Sequence, residues 1–303
     1  MKSETSTYSY DVGRMPEDKY RKMQAADLQL AINSPTGEDT KWVLVEGRMD
    51  RDFYPLMFAD DVRIYIAGYV SNEEEPDNVH GGVKAVREVV TKILKDGYTT
   101  NIIGIIDRDY YEYRAEGDET GADHTGHIFK TDYRDLEMTL FTLSSAWSAI
   151  TSLPEFSTTI YSDWELVIRH LGAIRVANRH CSVYEHFDIS VGNLFDCHTR
   201  ALVPDWQEIA WSMAQKECSK SLEKSMLTIV ENRFHLSTSH MASYARGHDA
   251  FKLLAIMLLK DYTEKKLVEL MINHCSFEDC KSLQLYRDIA AWETTHVKML
   301  RSA

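Results

Sequence analysis

Three carboxylates in this chain stand directly after short apolar runs. Glu46 follows Trp-Val-Leu-Val, residues 42 to 45, and Asp107 and Asp109 follow Asn-Ile-Ile-Gly-Ile-Ile, residues 101 to 106. Runs of this length and composition predict β-strands, and after its opening Asn101 the second is apolar without a break, as a strand buried on both faces should be. In one parallel sheet the carboxyl ends of such strands open on a single crevice, and the three acids would face it together. The period of two in extended backbone sends Asp107 and Asp109 to one side and Arg108 to the other. Three bare carboxylates repel one another, and hard oxygen donors of this kind suit magnesium or manganese. Asp50, about one helical turn beyond Glu46, is a further candidate ligand, directly or through water, and Gly47 permits a tight exit from the strand. Taken singly, a strand-end acid is commonly a helix cap or a loop residue. The conjunction at two strand ends carries the metal reading.

The elements that must position these acids follow from the surrounding pattern. Residues 50 to 58 can form a helix, and Val62 to Ala67 reads as a second strand. Gly81-Gly82 then opens a helix in which Val83, Val86, Val89, Val90, Ile93 and Leu94 recur at three-to-four spacing. Strand-helix-strand-helix-strand order predicts a parallel sheet with right-handed crossovers and helices on both faces. Ahead of it, Tyr20, Met23, Ala26, Leu28 and Ile32 make an imperfect helical stripe that Ser34-Pro35-Thr36-Gly37 breaks. Behind it lies an acidic, glycine-containing loop from Tyr110 to Thr125, then a short strand at Gly126 to Lys130. Thr131-Asp132 is expected to cap a helix holding Leu136, Leu140 and Leu143. Beyond about residue 150 the pattern is almost wholly helical. The candidates there are Trp164 to Leu171, Trp206 to Ala214, Leu222 to Phe234, Phe251 to Tyr262, Leu267 to His274 and Leu283 to Leu300. The expected organisation is a helical lead at 1–37, an α/β domain at 38–148 and a mainly helical domain at 149–303. Trp164, Trp206, Trp211 and Trp292 in the last serve its core or an interface.

Composition narrows the class. With 303 residues, 44% of them hydrophobic and 27% charged, the chain can bury an ordinary core in about two domains. Its longest uninterrupted apolar stretch, Leu253 to Leu259, is far short of the ~20 residues a membrane-spanning helix needs. The start, MKSETSTYSYDV, is polar rather than signal-like, so a soluble cytoplasmic protein is expected. Cys181, Cys197, Cys218, Cys275 and Cys280 contain no CxxC pair, and His274, Cys275 and Cys280 lack a fourth zinc ligand. A net charge of −13 argues against a protein that coats nucleic acid unaided. A local basic patch, a delivering partner, or carboxylates offset by a bound cation would each reconcile that charge with a phosphate-bearing substrate.

VLVEGRMD, Val43 to Asp50, together with IIDRD, Ile105 to Asp109, resembles the TOPRIM fold shared by topoisomerases, bacterial primases, overcoming-lysogenization-defect nucleases and small ribonucleases. That family carries Glu-Gly after its first strand and Asp-x-Asp after its third, and Gly81-Gly82-Val83-Lys84 is similar to its GG segment. The resemblance covers about residues 40 to 145 and implies an α/β, Rossmann-like TOPRIM sheet. The EGxxD form looks like the nuclease branch; a primase would bring a zinc ribbon and a topoisomerase a tyrosine domain. TDYRDLEMTLF, Thr131 to Phe141, and RGHDAFKLLA, Arg246 to Ala255, look like the later motifs of the effector nucleases of PARIS anti-phage systems.

The resemblance implies a Mg2+-dependent (or Mn2+-dependent) endonuclease acting as a toxin effector by transfer RNA cleavage. A partner ABC-type ATPase would hold and release it, which accords with the absence of any GxxxxGK[ST] in this chain, and it would work as a homodimer. It also implies metal ligands at Glu46, Asp107 and Asp109, with Asp50 beside them, and a lysine that offsets charge at the phosphate. Lys252, Lys130 and Lys84 are the candidates for that lysine, Lys252 foremost, although a lysine in the first turn of a helix is ordinarily solvated. Glu137 ranks above Asp135 as an acid behind the ligands, while Asp132 and Asp135 also fit a helix N-terminus. His248 and Asp249 complete the set, His248 as base or phosphate contact or merely a loop histidine. A non-catalytic scaffold regulating an ATPase, a DNA endonuclease and a nucleotidyl transferase are the competing readings.

Overall fold

The computed structural model describes residues 22–34, 39–70, 79–108, 125–181, 195–196, 201–202, 241–258 and 262–302. The expected helices at Trp206 to Ala214 and Leu222 to Phe234 lie outside them. In chain order the elements begin with α1 (Ala25–Ile32), β1 (Lys41–Val45), α2 (Arg48–Phe53), β2 (Val62–Ile66) and a hairpin of β3 (Tyr69–Val70) with β4 (Val79–His80). Then come α3 (Val83–Lys95), β5 (Ile102–Ile106), β6 (Ile128–Lys130), α4 (Leu136–Thr142), α5 (Ser144–Thr151) and α6 (Thr158–Cys181). A second hairpin, β7 (Phe195–Asp196) with β8 (Ala201–Leu202), precedes α7 (Met241–Tyr244), α8 (Gly247–Leu258), α9 (Glu264–His274), α10 (Phe277–Ser282) and α11 (Gln284–Trp292). The protein is therefore α/β, with a mainly helical C-terminal region. No helix among the described residues is long and apolar enough to cross a membrane.

Packing groups the chain into two compact units: Met1–Ile106 with Asp123–Lys130 and Leu285–Ala303, and Asp107–Ala122 with Thr131–Gln284. These differ from divisions drawn at residues 37 and 148. Leu28 and Ile32 of α1 are buried in the core of the sheet unit, so this helix belongs to that unit. The C-terminal segment joins the same unit through backbone hydrogen bonds, Ala59 donating to the Met299 carbonyl at 2.8 Å and Arg301 to the Met57 carbonyl at 2.9 Å. Pairing of this kind between segments far apart in sequence leaves no periodic trace in the chain.

In the first unit four strands form one all-parallel sheet in the order β2-β1-β5-β6. Trp42 and Leu44 of β1 and Ile102 and Ile106 of β5 share one buried core with Leu28 and Ile32 of α1 and Val86, Val90 and Ile93 of α3. The alternate residues Val43, Val45, Ile103 and Ile105 are buried as well, so β5 is apolar throughout and β1 is apolar from Trp42 onward. Gly104 sets how closely α3 lies on β5: a β-carbon there would stand 2.6 Å from Val86 Cγ1 and 3.2 Å from Val90 Cγ2.

In the second unit α4, α5, α6 and α8 meet in an aromatic core. Phe141 lies 4.5 Å from Phe251 and 4.9 Å from Trp164 between ring centroids, and Trp147 stacks on Trp164 at 5.7 Å. The Trp164 indole N–H, buried with its ring, donates to the Ala250 carbonyl at 2.9 Å.

Three expectations about helix bounds need correction. Asp135, not Thr131-Asp132, caps α4, its Oδ1 accepting from Met138 N at 2.9 Å. Thr131 instead accepts from Arg108 N, and Asp132 accepts from Gln284 N. The helix expected over residues 50–58 gives way after Phe53 to a 3-10 turn, Tyr54–Leu56, where Pro55 supplies no N–H. The single helix expected from Leu283 to Leu300 is instead α11, ending at Trp292, with turns beyond it.

Gly104→Ala should lower stability by about 1–3 kcal/mol, because the added methyl overlaps Val86 and the sheet-helix spacing must open. Urea denaturation followed by circular dichroism checks this. A second expectation concerns pH. Burial raises the Asp279 carboxyl, but hydrogen bonds from Ser145 and Ser276 outweigh it and hold the group below the usual carboxylate range. A depressed native pKa adds stability above the ordinary carboxylate pKa and loses it as pH falls through the native value. Asp279→Asn should therefore destabilise at neutral pH, and the gap to the parent chain should close in acid.

Candidate functional site

In the sheet unit, β1 and β5 are parallel neighbours, with Trp42 opposite Ile102 and Leu44 opposite Gly104. The chain runs from β1 to β2 on one side and reaches β5 on the other, so the order of the strands reverses between β1 and β5. In open α/β sheets the functional crevice lies outside the carboxyl ends at that reversal. β1 ends at Val45 and the next residue is Glu46; β5 ends at Ile106 and the next residue is Asp107.

Glu46 leaves β1 toward the start of α3. A β-carbon on Gly82 would stand 3.7 Å from Glu46 Oε2, and one on Gly81 would meet the Glu46 carbonyl at 3.6 Å and Lys22 Cε at 3.3 Å. Gly82 has φ of 84°, a conformation that disfavours side chains, so the Gly81-Gly82 pair serves both backbone turn and close approach. The positive end of the 13-residue α3 favours the carboxylate it meets there. Asp50 is buried, and its Oδ2 accepts from Gly47 N at 2.9 Å, so this oxygen caps the first turn of α2. Lys84 is exposed on α3 and pairs with Glu88 at 3.7 Å, and Lys130 is exposed at the end of β6.

In the second unit Asp107 lines a cavity of about 360 Å³ together with Asp135, Glu137 and His248 and three arginines, Arg134, Arg175 and Arg246. Asp109 lies outside the described residues. Among the described residues no three His, Cys, Asp or Glu side chains are grouped closely enough to hold a metal ion. The metal reading thus rests on a set that includes Asp109.

Asp135 is the fixed point of this cavity. Its Oδ1 takes the Met138 N–H at the start of α4, and its Oδ2 takes the Gly247 N–H, at 3.0 Å, at the start of α8. One buried carboxylate therefore joins two helix beginnings. Burial pushes its pKa up, opposed by Arg134, by the two backbone N–H groups and by Arg246. Gly247 is required at this junction, since a β-carbon there would lie 2.2 Å from Glu137 Cβ and 2.6 Å from Asp135 Oδ1.

Two further pairs hold the other polar groups. Arg175 grips Asp249 through Nε at 2.6 Å and Nη2 at 3.0 Å, and both residues are buried. Asp249 is thus a positioning acid for Arg175. His248 Nδ1 is hydrogen-bonded to Glu264 Oε1 at 2.5 Å, which fixes the ring orientation. Lys252 is exposed on α8 and is not among the residues lining the cavity.

Of the cavity residues, the sequence points to Asp107, Glu137, His248 and, ranked below Glu137, Asp135, and to none of the three arginines. Arg134 and Arg246 adjoin motif residues, Asp135 and Gly247-His248, and that adjacency was the available signal. Arg175 carries none, since its partner is 74 positions away. Cys275 and Cys280 are each pushed up to about 12, chiefly by burial, and remain neutral thiols near neutrality. His274 donates from Nδ1 to the Leu270 carbonyl, a helix C-terminal bond.

No protein-family model matches this chain, and no curated protein matches it.

Arg175→Met should destabilise the chain by about 3–5 kcal/mol, because it strands a buried carboxylate, whereas Arg175→Met with Asp249→Leu should recover much of that loss. A double-mutant cycle in urea tests the pair; a double variant no better than the single would show that packing rather than charge is at stake.

Proposed function

We propose that this chain is a TOPRIM-type nuclease that hydrolyses phosphodiester bonds with magnesium or manganese, and that Glu46, Asp107 and Asp109 are the residues that would hold the metal. The observation that carries the reading is the parallel pairing of β1 with β5 at the strand-order reversal, with an acid as the next residue after each strand. The donor set fits: each proposed ligand is a hard carboxylate, and Glu46 Oε2 lies beside Gly82, 3.7 Å from where a β-carbon there would stand. Asp50 supports the turn after Glu46 through Gly47 N.

When bound, the metal supplies Lewis-acid polarisation of a phosphate and a water of lowered pKa. The protein's own contribution is position and charge. Glu46 and Asp107 set the acidic strand ends, and within the helical unit Arg246 lines the cavity with Asp107. Lys252, exposed on α8, is the lysine proposed to offset charge at the phosphate.

On the motifs at Thr131 to Phe141 and Arg246 to Ala255, the proposal extends to an anti-phage effector that cleaves RNA, transfer RNA first. The same resemblance makes it a homodimer governed by a partner ABC-type ATPase. The purified chain should cleave RNA or DNA in magnesium or manganese, and Glu46→Gln and Asp107→Asn should each lower the rate by about a hundredfold or more. Equal cleavage by Glu46→Gln rejects the site. Calorimetry without any Asp107-dependent manganese binding would favour a non-catalytic scaffold instead.

A further inference from the structure

Few of the side chains lining the cavity of the helical unit can accept a proton. Its three arginines stay protonated and offer no acceptor atom. Asp135 gives both oxygens to the Met138 and Gly247 N–H groups, and Asp107 is a proposed metal ligand. The other two lining residues with acceptor atoms are Glu137 and His248. An imidazole ordinarily titrates at about 6.5 and a glutamate at about 4.3, so a histidine is the better matched to proton transfer near neutrality.

His248 is half of a dyad. Its Nδ1 stands 2.5 Å from Oε1 of Glu264, a residue that does not itself line the cavity. A carboxylate only accepts, so Nδ1 carries the proton and the neutral ring keeps its lone pair on Nε2. Among the described residues Nε2 has no hydrogen-bond partner. Both members of the dyad stand on fixed backbone. Gly247, on one side of His248, is tied through its N–H to Asp135 at 3.0 Å, and Asp249, on the other, is gripped by Arg175. Of the first five residues of α8, His248 alone is not buried. Glu264 opens α9, where Thr263 Oγ1 caps the first turn and Leu267, Val268 and Met271 are buried. A half-exposed ion pair adds little to stability, and what this one secures is the tautomer and direction of the ring.

We infer that His248 is the catalytic proton acceptor for the attacking water and that Glu264 is its positioning residue, an inference that rests on the nuclease reading above. As the bond from the water oxygen to phosphorus forms, Nε2 takes the proton that the water gives up. The bond from phosphorus to the leaving oxygen breaks, and that oxygen takes a proton from solvent. The half-exposed ring then returns its own proton to solvent, and Glu264 balances the positive charge in between.

The test is steady-state cleavage of a transfer RNA and of a DNA oligonucleotide by the full chain in magnesium or manganese, with melting curves confirming that each variant folds. His248→Gln should lower kcat by about a hundredfold or more and leave KM within roughly threefold. Added imidazole should restore part of the rate to His248→Ala and none to Glu46→Gln. Glu264→Gln should lower kcat by about tenfold or more, again with little change in KM. A second readout needs no turnover: in chains carrying 15N-labelled histidine, the His248 ring, identified by its absence from His248→Gln, should show one tautomer protonated at Nδ1 in the parent and a mixture in Glu264→Gln. Parental kcat in folded His248→Gln overturns the inference, as does an unchanged His248 tautomer in Glu264→Gln. A loss in Glu137→Gln beside a parental rate in His248→Gln also overturns it and moves the proton to Glu137. Cleavage that Glu46→Gln abolishes and His248→Gln spares defeats this inference alone and leaves the nuclease reading; a parent chain that cleaves neither substrate defeats both.

Discussion

The parallel pairing of β1 with β5 is the constraint from which the sheet unit follows. Parallel neighbours need a crossover, and α3 provides it, returning to the sheet against the face that bears Trp42, Leu44, Ile102 and Ile106. Gly104 is the consequence in sequence: a central strand position without a β-carbon, because Val86 and Val90 already occupy that space. The same pairing puts the carboxyl ends of both strands at one edge, so the chemistry assigned to Glu46 depends on strand register before it depends on any side chain. A slip of one residue would turn every side chain of a strand to the other face.

The helical unit is organised around a different kind of constraint, the satisfaction of a buried charge. Asp135 has no room to relax, and each of its oxygens is met by a backbone N–H from a separate helix. Desolvation makes such a carboxylate costly and holds its pKa up, and the pull of two amides with Arg134 and Arg246 offsets only part of that cost. Gly247 follows necessarily, since any side chain at that position would occupy the place of Glu137 and Asp135. Arg175 and Asp249 repeat the logic as a buried bidentate pair. Fixed polar groups of this kind suit a surface that must present charge in one geometry.

Much of this was legible in the chain, and the reason differs by element. Trp42 to Val45 and Ile102 to Ile106 announce buried strands because parallel strands covered on both faces are apolar without alternation. The Val83 to Leu94 stripe announces α3 because one helical face must be buried. The cap of α4 was misplaced by a few residues because Thr131, Asp132 and Asp135 are all competent caps, and only the location of α8 tells which carboxylate is needed inside. The C-terminal helix was overextended because its apolar residues serve two purposes, helix packing up to Trp292 and backbone pairing near Leu300.

Sequence alone determined the strand-helix order, the acids that follow the two central strands and the glycine pair ahead of α3, because these rest on short-range periodicity and on the limited conformations of backbone. Tertiary structure decided which polar groups are already committed. Asp50 caps its own helix, Asp249 holds Arg175, Asp135 joins two helices, and Lys252 remains outside the cavity lining. It also decided that Arg134, Arg175 and Arg246 share a cavity with Asp107. Charge-charge pairing and cavity lining depend on distances between residues remote in the chain, and one-dimensional spacing carries no information about those distances.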